Sequence, residues 1–138
     1  SDQEVHKVVE QLKASGAPDV ELHAGRVTIV HFWATWCGPC KKSLPKLGVL
    51  YAKYRSQGLD VAAISVDDDV VDVAPFAKTY QVIVPVAWDP DHKVTERYRP
   101  RSMPSTYLID RAGIVRFVHQ GYHDGEEAVI DRELLQLL

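Results

Sequence analysis

The chain's two cysteines, Cys37 and Cys40, stand inside the pentapeptide Trp36-Cys37-Gly38-Pro39-Cys40. A thiol attacks a disulfide as its thiolate, and a second sulfur within reach is needed to resolve the mixed disulfide that results. Spacing of three on a helix brings two side chains to one face. The apolar run before Cys37 and the helix-like stretch after Cys40 predict a strand-to-helix junction, where unpaired N–H groups and the positive end of the helix dipole favour the anion. Cys37 is therefore the expected attacking sulfur. Cys40, one turn further in, is the expected shielded, resolving one. Gly38 permits the tight junction, and Pro39 suits a first turn in which no backbone donor is required.

Other chemistries of a C-x-x-C pair fit less well. A zinc site would need two further ligands, and His119 and His123 have a suitable mutual spacing, but 78 residues separate them from Cys40. Attached haem requires His after the second Cys, and residue 41 is Lys. Two cysteines so close together cannot staple a distant loop, so a structural disulfide framework is disfavoured. No metal or cofactor is expected.

The chain has 138 residues, 46% of them hydrophobic and 25% charged, the balance of one globular domain with one buried core. A formal charge of −3 and the lack of a Lys/Arg cluster interleaved with aromatics argue against a nucleic-acid partner. No apolar stretch approaches the about 20 residues that span a bilayer. The first residues, Ser1-Asp2-Gln3-Glu4, do not read as a signal peptide, which leaves the compartment open.

The elements that position the pair follow from periodicity. Val5, Val8, Val9 and Leu12 form one stripe of a helix that Gly16 and Pro18 would end. Residues 27–33 are an apolar, β-branched run interrupted by Thr28 and His31, the pattern of a central parallel strand. Leu44, Leu47, Leu50, Tyr51 and Tyr54 keep helical spacing from Pro39 to Gly58, with Pro45 expected to kink the helix. Residues 61–66 read as a second buried strand. Asp72 then reads as the cap of a short helix carrying Val73, Phe76, Ala77 and Tyr80. Residues 84–88 form a third strand, with Pro85 arguing for an edge or an irregular start, and Asp89-Pro90-Asp91 a turn. Residues 105–110 and 114–119 form a hairpin, and residues 126–138 a closing helix with Ile130, Leu134 and Leu137 on one stripe. Alternating strand–helix units followed by a hairpin predict an α/β fold, a central mixed sheet with helices on both faces.

Phe32-Trp33-Ala34-Thr35-Trp36-Cys37-Gly38-Pro39-Cys40 resembles the active-site segment of the thioredoxin superfamily, in particular its TlpA/ResA-like branch. The likeness continues through Pro45, the second strand, residues 103–110 and Gly113. It implies a thioredoxin-like fold over residues 27–138, preceded by an N-terminal helix and lead-in over 1–26, in a single domain. It further implies that Pro104 is the family's cis-proline opposite the sulfurs, that Met103 offers backbone groups to an extended substrate, and that Trp36 flanks the disulfide in the docking surface. Where thioredoxins carry a buried aspartate, this chain has His31, which resemblance makes a candidate for moving the proton of Cys40 and residue chemistry makes equally a core histidine. Asp68, within Asp67-Asp68-Asp69, is the positional match for an acid beside the active site; such a run also suits a solvated loop or cap. Ser43 departs from the branch, which commonly has an acid there. His6, His23 and His92 read as surface residues.

The function so implied is a thiol–disulfide oxidoreductase, mainly a reductase of protein disulfides, since Gly-Pro between the cysteines resembles reducing thioredoxins more than the oxidant DsbA. Its partners would be a disulfide-bearing protein and an upstream thiol donor, thioredoxin-like or DsbD/CcdA-like, for a monomer in a periplasmic or other extracytoplasmic compartment. The alternatives are a cytochrome c maturation thioreductase, which Met103-Pro104-Ser105 fits poorly, and a redox-gated binding module without turnover. A peroxidase is disfavoured because the pair is of the thioredoxin type and no further cysteine exists.

Overall fold

Strand β1 (Val27–Trp33) lies in the middle of the sheet, and all seven of its residues are buried. This is the outcome for a β-branched apolar run with a strand on each edge and a layer on each face. The computed structural model describes residues 23–138; the helix expected around Val5, Val8, Val9 and Leu12, and His6, lie outside the described residues. β2 (Leu59–Ser65) pairs parallel with β1, and β3 (Val86–Trp88) parallel with β2. On the other side β4 (Ser105–Ile109) runs antiparallel to β1, and β5 (Val115–Gln120) antiparallel to β4. The five-stranded order is β3-β2-β1-β4-β5.

Among the described residues four α-helices cover this sheet: α1 (Cys40–Tyr54), α2 (Val73–Thr79), α3 (Lys93–Tyr98) and α4 (Glu126–Leu137). Side chains alternate along a strand, so His31 and Trp33 face one way and Phe32 the other. Ser43 of α1 meets His31, and Phe76 of α2 packs on Trp33 with ring centroids 5.1 Å apart. α4 joins the same layer by docking on α1, where Lys46 pairs with Glu127 at 3.1 Å and Lys53 with Asp131 at 2.8 Å. Tyr98 of α3 takes the opposite face, 5.3 Å from the Phe32 ring and 5.0 Å from Tyr107. Such aromatic pairs add about 0.5–1.5 kcal/mol each beyond the area they bury. Among the described residues no helix is long and apolar enough to cross a membrane.

Several boundaries differ from expectation for identifiable reasons. α1 includes Pro45, as expected, but ends at Tyr54, and a 3-10 turn over Arg55–Gln57 fills the stretch before Gly58. β2 begins at Leu59, and β3 is confined to residues 86–88, although the Pro85 carbonyl still accepts from the Ala63 N–H at 2.9 Å. Asp72 precedes α2 but makes no capping bond with its side chain. Asp69 caps instead, accepting from the Val71 N–H at 3.0 Å at the head of a 3-10 turn over Val70–Asp72. The turn at Asp89 leads into α3, a helix the sequence reading does not contain. The buried Asp89 carboxylate starts it by accepting from the Thr95 N–H at 2.8 Å and the Thr95 hydroxyl at 2.6 Å.

The end of the sheet remote from the cysteines is closed by Arg111, which donates to the carbonyls of Gly25, Gln57 and Leu138. Gly58 stands beneath it with φ of 114°, and a Cβ there would meet the guanidinium 2.9 Å away. A side chain at this φ is strained and must also displace the arginine. Gly58→Ala is expected to lower stability by about 1–3 kcal/mol, read as a reduced urea midpoint with an unchanged slope.

Candidate active site

The cysteines sit where β1 hands over to α1. Pro39 is the N-cap and Cys40 the first helical residue, so Cys37 lies in a turn just ahead of the helix. The Cys37 N–H donates to the Ala34 carbonyl at 3.1 Å, and the Cys37 carbonyl accepts from the Cys40 N–H at 3.2 Å. The two sulfurs are joined as a disulfide with Cα atoms 5.4 Å apart. The expected contrast of an open Cys37 and a shielded Cys40 is small here, because Cys37 is only 4% exposed and Cys40 fully buried. The open residue is Trp36, 68% exposed, with Gly38 and Pro39 exposed beside the bond.

The first turn of α1 contains no acidic residue and presents Lys41 and Lys42 to solvent. Nothing there neutralises the positive helix end, whose effect on a nearby charge is about 0.3–1 kcal/mol at an exposed terminus and more when partly buried. A thiolate at Cys37 is favoured by the helix end.

The loop carrying Cys37 is fixed by Asp67. This buried carboxylate accepts from the Thr35 N–H at 3.0 Å, the Thr35 hydroxyl at 2.5 Å and the Ser65 hydroxyl at 2.5 Å. Its own carbonyl accepts from the Trp88 indole N–H at 2.7 Å. Sequence reasoning favoured its neighbour Asp68, yet the Asp68 side chain is 97% exposed and 3.7 Å from His92. Alternation at the strand end turns one aspartate inward and the next out. The usable signal was Ser65 and Thr35 standing where two strands end, each able to donate to an acid between them.

His31 is buried, with Nδ1 2.9 Å from Thr106 Oγ1 and Nε2 3.2 Å from Ser43 Oγ. Two hydroxyls satisfy a neutral imidazole, one accepting and one donating. Burial lowers its pKa from 6.5 to about 3, so the ring is neutral at physiological pH. Ser43 also donates to the Cys40 carbonyl at 3.4 Å, which ties the imidazole to the first turn of α1. Ser43 and Thr106 were not singled out from sequence as partners of His31. The Met103–Pro104 peptide is cis; Pro104 is buried, and its carbonyl accepts from the Gly121 N–H at 2.7 Å. Met103 is half-buried and borders an open cleft with His92 and Arg99. His119 is held by Glu133 at 2.5 Å and faces Glu126 at 3.5 Å, and His123 is exposed.

The sequence profile of the AhpC/TSA family matches residues 9–118. The chain is similar to the thiol-disulfide oxidoreductase ResA of Bacillus subtilis (strain 168), with 37% identity over 91 residues, 66% of this chain and 51% of that protein. It is likewise similar to ResA of Oceanobacillus iheyensis, with 36% identity over 97 residues, 70% of this chain and 50% of that protein. The chain thus spans about half the length of the curated relatives it matches. Among solved structures, a candidate thiol:disulfide interchange protein DsbE from Chlorobium tepidum superposes with a TM-score of 0.79 at 32% identity, covering 83% of this chain and 81% of that one. The mixed sheet with helices on both faces is therefore the thioredoxin-like fold that the motif implied.

Two measurements check the site. The unfolded chain takes a proton at His31 below pH 6.5 that the folded protein refuses until about pH 3. Stability from the neutral ring is thus complete above pH 6.5 and declines as pH falls through that window, by about 1.4 kcal/mol per unit. Urea titrations should show a shallower decline for His31→Asn; parallel slopes would mean that the folded protein does not hold this imidazole neutral. Asp67→Ala should cost about 2–4 kcal/mol by orphaning buried donors, whereas Asp68→Ala should stay within about 0.5 kcal/mol.

Proposed function

We propose, from the premise that this chain belongs to the AhpC/TSA family, that it is a thiol–disulfide oxidoreductase working mainly as a reductase of protein disulfides. The observation that carries the reading is the Cys37–Cys40 disulfide at the head of α1, with exposed Trp36 beside it. In the reduced protein the Cys37 thiolate attacks one sulfur of a substrate disulfide. A Cys37–substrate bond forms, the substrate bond breaks, and the departing sulfur leaves as a thiolate that takes up a proton. Cys40 then attacks Cys37 Sγ, the second substrate sulfur leaves, and the Cys37–Cys40 bond closes. Two electrons pass from the dithiol to the substrate, and an external thiol donor returns them.

Each residue has a part in this scheme. The helix end favours the ionised form of Cys37, and burial keeps Cys40 for the second step. Trp36 and the Met103–Pro104 segment receive an extended stretch of the substrate. Asp67 holds the Thr35–Trp36 loop so that Cys37 meets the substrate in a fixed position.

The protein should accelerate reduction of insulin by dithiothreitol over many turnovers, and Cys37→Ser should abolish this. Cys40→Ser should accumulate a mixed disulfide at Cys37, visible by mass spectrometry. Equal trapping by both single variants would reject the division of labour, and a burst limited to one equivalent would indicate a redox-gated binder. Alkylation of the reduced protein by iodoacetamide should show Cys37 titrating below about 8.5.

A further inference from the structure

An open cleft of about 490 Å³ lies between α3 and the segment that leads into β4, lined by His92, Thr95, Glu96, Arg99, Pro100 and Met103. Its walls reach the end of the sheet that carries the redox turn. Ser105 is the register partner of Phe32, so Met103 and Pro104 extend β4 past the sheet end at which β1 hands over to Cys37. The opposite wall arrives at the same end, because His92 Nε2 donates to the Val66 carbonyl at 3.1 Å and the Val66 N–H donates to the Trp33 carbonyl at 2.8 Å.

The α3 wall is anchored from behind. Thr95 is held through its N–H and its hydroxyl by buried Asp89. The Tyr98 ring packs against Phe32 and Tyr107 at 5.3 and 5.0 Å, and the Tyr98 carbonyl accepts from the Tyr107 hydroxyl at 3.1 Å. A wall fixed before binding loses little freedom when the cleft is filled.

The residue after Tyr98 is the anomaly. Arg99 ends α3 with φ of 49° and ψ of 57°, and His92 precedes the helix with φ of 54°. A left-handed residue at a helix end is ordinarily glycine, because a side chain there costs free energy. Among the described residues the other non-glycine residue with a positive φ is Gln81. Two of these three therefore flank one short helix and line one cleft. Backbone held in this way clusters at ligand clamps, where the surrounding structure enforces it. The Arg99 guanidinium is all donor and no acceptor, and among the described residues neither it nor the Glu96 carboxylate has a hydrogen-bond or ion-pair partner.

We propose that this cleft is a specificity site, in which Arg99 receives an acidic side chain flanking a cysteine of the disulfide-bearing segment. The inference rests on the oxidoreductase reading above and adds which segments the reaction favours. An extended segment lying along Met103–Pro104 sends alternate side chains to one side, and those on the α3 side enter the cleft. Arg99 closes the α3 wall at the end from which the chain runs to Met103, and Glu96 stands one turn back along the helix. His92 is drawn to Asp68 at 3.7 Å, which leaves Arg99 as the cation of the cleft. A carboxylate gains charge-assisted hydrogen bonds from it, whereas a basic side chain meets like charge. Glu96 has the opposite preference, so substitutions at the two positions act with opposite sign.

Single-turnover reaction of the reduced protein with disulfide-linked peptides tests this. The peptides are identical except for Glu, Gln or Lys at one position, which is moved through the residues on either side of the cysteine. At one position Glu should exceed Lys about three- to tenfold in second-order rate constant at low ionic strength, and salt should shrink the ratio. Arg99→Gln should remove the preference, and Glu96→Gln should widen it. Arg99→Gly, which the left-handed backbone accepts without strain, should remove it likewise. Because each ratio is taken between peptides on one protein sample, a general loss of reactive protein cancels. A wild-type preference for Lys, no preference at any position, a preference that Arg99→Gln leaves unchanged, or a narrower one in Glu96→Gln would overturn the inference and leave the oxidoreductase reading intact. A wild-type protein that reduces none of the peptides would sink that reading itself.

Discussion

The arrangement of the cysteine loop depends on one buried carboxylate. Asp67 stands where three parallel strands end and binds all of them: Thr35 after β1, Ser65 of β2, and the indole of Trp88 in β3. Ionised groups are buried at a large desolvation cost unless hydrogen bonds replace the lost water. Here the replacements are two hydroxyls and a backbone N–H, each supplied by chain that must be in place for the redox turn to exist. The same bonds that solvate the acid therefore locate Cys37 relative to the sheet.

A second polar layer lies behind the first and has the opposite character. His31 is enclosed by hydroxyls and gives up its charge, whereas Glu126 is enclosed by both carboxylates and imidazoles and is pulled two ways. Both belong to the face covered by α1 and α4, while the face under α3 is aromatic, built from Phe32, Tyr98 and Tyr107. The sheet thus separates a polar side from an aromatic one. Side-chain alternation along β1 is enough to make that division.

Much of this was legible in the residues. The continuous apolar run of β1, the spacing of Leu44, Leu47 and Leu50, and the two strands around the Arg111-Ala112-Gly113 turn each have one dominant period, and local pattern decided them. α3 was missed because it is short and mostly polar, is flanked by left-handed His92 and Arg99, and is started by an aspartate whose partner lies six residues on. Three adjacent aspartates cannot be ranked by type. Only the tertiary fold turns Asp67 inward, Asp68 outward and Asp69 onto a turn. Glu126 was invisible for a similar reason: an acid at the start of a helix already has a local explanation in the helix dipole, which conceals its burial.

The disulfide closes a ring only three residues apart, and the chain has no other cysteine. Tethering so short a segment removes little freedom from the unfolded chain compared with a long-range bridge. The architecture accordingly rests on its sheet, its aromatic packing and the Asp67 clamp, while the sulfur–sulfur bond is nearly a bystander to folding. In the proposed reaction the sulfur–sulfur bond opens and closes at the helix head without the scaffold being dismantled each time.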